Sequence, residues 1–146
     1  MYIGFSENCD CLLTVSSTGR GLWDLSNGER IERFYEKDCE GLNEKNLICR
    51  GIGFLSDEII RVAGLCGGGL IRVSDKGEML ELVSPLYPYH YIVFNADWRR
   101  GAYQERVIIH KGFVRHFGFS YSQDYFVNCR RGYSCVGKRK VAYTVV

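Results

Sequence analysis

The stretch "SSTGRGLWDLSNGERIERF", Ser16–Phe34, holds two turn signals around one apolar run. Ser-Thr-Gly and Ser-Asn-Gly tolerate tight or left-handed backbone, and Gly21–Leu25 between them has the length and composition of a strand. Upstream, Cys11–Val15 is a second apolar run, so the two read as antiparallel strands joined by "SSTGR". Downstream, "SNG" turns the chain again into "ERIERFY". Ile31, Phe34 and Tyr35 there also have helix-like spacing, but strand followed by loop is the preferred reading. A lone hairpin cannot bury its own apolar face, so this stretch predicts packing on further units of the same kind.

The rest of the chain supplies them. Ile59–Ala63 and Leu70–Val73 flank the turn "GLCGGG", and "SDKG" leads into "EMLELV". "YPYHYIVFN" is an aromatic and β-branched run, and "RVIIHKGFVRHFGFS" is either two short strands around Gly112 or one bulged strand. "DYFVNC" and "KVAYTVV" read as the last strands. A weak repeat runs through this series. "FSENCDCLLTVSSTGRGLWDL" begins at Phe5, "FLSDEIIRVAGLCGGGLIRV" at Phe54 and "FSYSQDYFVNCRRGYSCVG" at Phe119. Each has an aromatic start, a polar turn, an apolar strand, a second turn and another apolar strand. The unit resembles a WD-repeat blade, best over Phe5–Ile31 with its Trp23-Asp24 pair, while the other two match in pattern only. Three units at unequal spacing do not close a propeller ring within one chain. The expectation is a single β domain over residues 1–146, mainly β with little helix: an antiparallel β-meander or β-sandwich built from blade-like hairpins.

At 146 residues, 46% hydrophobic and 14% aromatic, the chain is long and apolar enough to bury a proper core. No apolar run approaches the ~18 residues of a membrane span, so no membrane is expected as a partner. The start "MYIGFSENCD" has no basic region followed by an apolar one, which predicts a cytoplasmic location. The seven cysteines then read as reduced, small, mostly buried hydrophobes. The net charge of +2 conceals an asymmetry, since residues 1–60 carry 11 acids against 6 bases and residues 97–146 carry 3 against 10.

Sites for chemistry are harder to find. "GLCGGGL", Gly64–Leu70, lacks the Gly-Lys-Ser/Thr ending of a phosphate loop and reads as a tight turn. Cys9 with Cys11, and Cys129 with Cys135, have neither metal-ligand spacing nor a neighbouring histidine, so no metal and no cofactor are expected. His110, Lys111 and His116 are the residue types for acid–base cleavage of RNA. On one extended strand, however, the two histidines would stand about 20 Å apart. No catalytic residue is assigned, and the protein is expected not to be an enzyme. The stretch from Trp98 to Lys140 mixes bases with aromatics, a composition that suits RNA binding or cleavage, the alternative function. Its aromatics fit a core and its bases a solvated face equally well, so nucleic acid is the less favoured partner.

The opposite composition lies in Glu29, Glu32, Glu36, Asp38, Glu40 and Glu44, six carboxylates within 16 residues. Such a run can steer and orient a basic partner. The order "GLWDLSNGERI…VAGLCGGGLIRVSDKGEMLELVSPLYP" resembles small bacterial immunity proteins of contact-dependent growth inhibition and polymorphic toxin systems. That resemblance covers about residues 5–95 and carries over no catalytic residue. It implies a protein, monomeric when free, that forms a heterodimer with a cognate toxin domain, a nuclease such as an RNase, and occludes its active site. The six carboxylates are the candidate contacts to the toxin's bases. A third reading, a scaffold that adds its edge strands to partner sheets, predicts self-association instead.

Overall fold

The computed structural model describes residues 1–37, 39–64, 67–96, 106–130 and 133–138. It is mainly β and antiparallel, as expected, with a single 3₁₀ turn at Gly53–Leu55 among the described residues. The chain separates into two compact units, one of Met1–Leu70 with Ser120–Ser122, the other of Ile71–Phe119 with Gln123–Val146. No helix among the described residues is long and apolar enough to cross a membrane.

The first unit holds two meanders. Strands β1 (Tyr2–Phe5), β2 (Cys11–Ser16), β3 (Gly19–Asp24) and β4 (Arg30–Phe34) form a sheet in that order. Strands β5 (Leu42–Asn43), β6 (Ile48–Arg50) and β7 (Ile59–Arg61) form a second. Reciprocal backbone hydrogen bonds between Ile3 and Ala63, 2.9 and 2.8 Å, tie β1 to the chain just beyond β7. Alternation explains the packing. Cys11, Leu13 and Val15 of β2 share a face with Leu22 of β3, and this row meets Cys49, Ile60 and Val62 of the second meander in one buried cluster. Burying side chains such as Leu13 and Leu22 stabilises the unit by about 1.5–3 kcal/mol each.

The second unit also holds two meanders. Strands β8 (Met79–Leu86), β9 (Tyr89–Asn95) and β10 (Arg106–Lys111) form one in the order β10-β9-β8. Strands β11 (His116–Phe119), β12 (Tyr125–Arg130) and β13 (Tyr133–Lys138) form the other. Leu80, Ile92, Ile109, Phe117 and Phe119 make their common core.

The first and third repeats of the sequence are real hairpins, β2–β3 and β12–β13. The second is not. Ile59–Arg61 pairs with β6 and Ala63 with Ile3, whereas Ile71 bridges Phe119 and Val73 bridges Met79. Gly64 and Gly67 exchange backbone hydrogen bonds of 2.8 and 3.0 Å, so the chain does turn there, but Ile59–Ala63 and Ile71–Val73 belong to different units. "RVIIHKGFVRHFGFS" is two short strands in separate sheets rather than one bulged strand. "KVAYTVV" lies outside the described residues.

Candidate functional site

The acidic run enters the fold through β4. Its register against β3 pairs Trp23 with Arg30, Leu22 with Glu32, Gly21 with Arg33 and Arg20 with Phe34. Ile31 has no opposite number, so it is the extra residue of a β-bulge. The consequence is directional. Without the bulge, residues 30 and 33 would point to opposite faces. With it, Arg30 and Arg33 share the face of Trp23, while Glu32 and Phe34 take the face of buried Leu22.

On the inner face Arg20 and Glu36 form an ion pair, Nε to Oε1 at 2.6 Å, with only 9% and 11% of their side chains exposed. A second guanidinium nitrogen donates to Glu36 Oε2 at 3.3 Å, and Nη1 donates to the carbonyl of Arg50 at 2.6 Å. The guanidinium also lies over the Phe34 ring, 5.3 Å from its centroid. Gly41 allows this approach, because any side chain at that position would collide with Nη1. Arg20 therefore fastens β3 to the exit of β4 and to β6.

On the outer face the guanidinium of Arg30 stacks on Trp23, 5.8 Å from its centroid, and that of Arg33 on Tyr35 at 5.2 Å. Trp23 Nε1 donates to Thr14 Oγ1 at 3.0 Å, and Arg33 Nη2 donates to Thr18 Oγ1 at 2.7 Å. These bonds fix the Trp23 ring and one side of the Arg33 fork. Ile31 at the bulge, Phe34 on the opposite face and Tyr35 just after the strand are 43%, 48% and 75% exposed, and no strand pairs with the outer edge of β4 among the described residues. Asp24, which follows Trp23, organises the turn. Its Oδ1 accepts from the Ser26 amide at 2.7 Å, and its carbonyl accepts from Gly28 at 2.8 Å; the Ser26 side chain, then the Ser26 amide, hold its carboxyl below the usual range.

The sequence-predicted carboxylates have different surroundings. Glu29 is exposed in the β3–β4 turn, with its amide bonded to Asn27 Oδ1. Glu32 is exposed and its carboxylate lies against Gly53. Glu36 is engaged by Arg20, and Glu44 accepts a hydrogen bond from the Tyr2 hydroxyl at 2.8 Å. Glu40 is exposed, and Asp38 lies outside the described residues. Sequence reasoning missed Arg20, Arg30 and Arg33. A register shift has no residue signature, and only the Arg33–Tyr35 spacing on a strand could have hinted at the outer stack.

The other candidate chemistry is dispersed. His110 is the penultimate residue of β10 and His116 opens β11 in a different sheet. Burial, aided by the charge of Arg115, lowers the His116 pKa from its ordinary value. His90 Nδ1 and Ser84 Oγ are hydrogen-bonded at 2.7 Å on the β8–β9 hairpin, whose tip exposes Leu86, Tyr87 and Tyr89. Burial raises the thiol pKa of Cys11 to about 12 and that of Cys49 to about 11, which makes both poor nucleophiles. Cys9, Cys11, Cys39, Cys49 and Cys129 carry no disulfide, and no metal-type cluster of His, Cys, Asp and Glu exists among the described residues. Most of the basic Trp98–Lys140 stretch that is described is strand backbone. Within it, Lys111 sits over the Tyr91 ring at 5.7 Å. No protein-family model, curated protein or solved structure matches the chain.

Proposed function

We propose that this chain is a non-enzymatic binding protein, an immunity protein that neutralises a toxin domain by covering its active site. The observation that carries the reading is β4. It is a largely exposed edge strand that, with Tyr35 directly after it, presents an aliphatic and two aromatic side chains among charges of both signs. Aromatic and arginine side chains are the anchors of protein interfaces, with charged groups setting orientation around them. A surface of about 800 Å² per partner is enough for a stable complex. Of the six carboxylates, Glu29, Glu32 and Glu40 are the exposed ones and would steer a basic toxin surface.

The test is co-expression of the tagged chain with the product of the gene immediately upstream, with a growth assay of that product alone. A stoichiometric complex and toxicity cured by this chain are the expected results. A harmless neighbour that does not co-purify would overturn the reading.

A further inference from the structure

The outer face of the β3–β4 hairpin has a chemistry opposite to that of the run containing it. Arg30 and Arg33 project on the same side because Ile31 is a bulge. Neither guanidinium meets a carboxylate among the described residues, whereas Arg20, on the inner face, does. Each outer guanidinium has one flat face occupied by a ring. Arg33 spends one donor on Thr18 Oγ1; the remaining N–H donors of the two guanidiniums are the part of arginine that grips a carboxylate. Beside this fork, the outer edge of β4 offers backbone donors and acceptors.

We infer that Trp23, Arg30, Arg33 and Tyr35, with the free edge of β4, form a docking site for an extended acidic segment of a protein partner, added as a strand. The inference rests on the binding-protein reading and supplies its geometry. Backbone pairing along β4 gives the affinity, and carboxylates facing Arg30 and Arg33 give the selectivity. Exposed Ile31 and Phe34 add apolar contact. A single-stranded nucleic acid fits less well on two grounds. The ring faces that would stack on bases already carry guanidiniums. Glu29 and Glu32 stand close in sequence on the same hairpin, and residues 1–60 carry five more acids than bases, which repels a polyanion. A segment with only a few carboxylates can place them at the two arginines and leave the acids of the hairpin to solvent or to its own bases.

The probe is a synthetic peptide of about eight residues, the upper range of strand length, with Glu at alternate positions and Thr or Val between. Its controls are the same peptide with Lys for Glu and an oligouridylate of similar length. The readout is the Trp23 indole N–H resonance, assigned by its loss in Trp23→Phe. Saturable movement of that resonance by the Glu peptide alone is expected, weakened about tenfold or more in the Arg30→Ala/Arg33→Ala double variant, as loss of charge-assisted bonds requires. No saturable effect of the Glu peptide, equal binding of the Lys peptide, or preference for the oligouridylate would each overturn the inference. The wild-type comparison decides the matter even for a variant that does not fold. Toxin neutralisation that survives the double variant unchanged would also overturn this site while leaving the immunity reading standing. A chain that binds the Glu peptide but has no toxin partner would do the reverse.

Discussion

Arg20 and Arg30 stand on opposite faces of one hairpin, each stacked on an aromatic ring. They differ in what surrounds the rest of the guanidinium. Arg20 is closed in by Glu36 and the Arg50 carbonyl, so its charge is already answered inside the protein. Arg30 is exposed and forms no ion pair with a carboxylate among the described residues. The same residue type on the same two strands thus serves cohesion on one side and is available for recognition on the other. What separates the two roles is one extra residue in β4.

The comparison is broken most sharply at Arg20. Arg20→Met strands the Glu36 carboxylate in a nearly closed site and is expected to destabilise the protein by about 3 kcal/mol or more in urea unfolding. Arg20→Met combined with Glu36→Leu removes both charges and should cost clearly less than the single change. If the single and double variants are equally unstable, packing of the long side chain matters here and the ion pair does not. Gly41→Ala tests the same site from the backbone. Its methyl group occupies the position of Arg20 Nη1, so a loss of about 1–3 kcal/mol is expected, and it should shrink when Arg20 is also replaced.

These effects also show what could be read from the amino-acid sequence. The turns could, because Ser17–Thr18 and "SNG" name their own backbone chemistry, and β2, β3 and β4 followed from them. That β4 is a strand and not a helix was legible from the turn before it. The bulge was not, since it depends on how Trp23 and Leu22 choose partners across the sheet. Counting charge along Glu29–Glu44 gave the sign of the segment but not the direction of its side chains. The bulge put two bases on the same outer face, while Glu36 and Glu44 were engaged by Arg20 and Tyr2. The turn at "GLCGGG" was legible, since Gly64 and Gly67 pair, but the partners of the runs that flank it were not, for a related reason. Local turn signals cannot see that Ala63 pairs with Ile3, sixty residues away.

A smaller effect is expected on the outer face. Thr14→Val keeps the shape but leaves Trp23 Nε1–H without its acceptor, costing about 1 kcal/mol for a half-buried donor. The indole should become mobile, visible as a loss of protection of its N–H against hydrogen exchange. If the indole stays protected, Arg30 alone holds the ring, and the outer face is more rigid than its hydrogen bonds imply.

The smallest effect on stability belongs to Arg30 itself. An exposed stack on Trp23 contributes about 0.5–1 kcal/mol, and no carboxylate is stranded when it is removed. Arg30→Ala should therefore unfold within about 1 kcal/mol of the wild type, several times less than Arg20→Met on the other face. Paired measurements on these two variants sharpen the contrast, because each removes a guanidinium from an aromatic ring of the same hairpin. Equal destabilisation by both would mean that Arg30 is also structural, and the outer face would lose its standing as a surface left available for a partner. A stable Arg30→Ala protein that has lost its grip on an acidic strand would separate recognition from cohesion within a single hairpin.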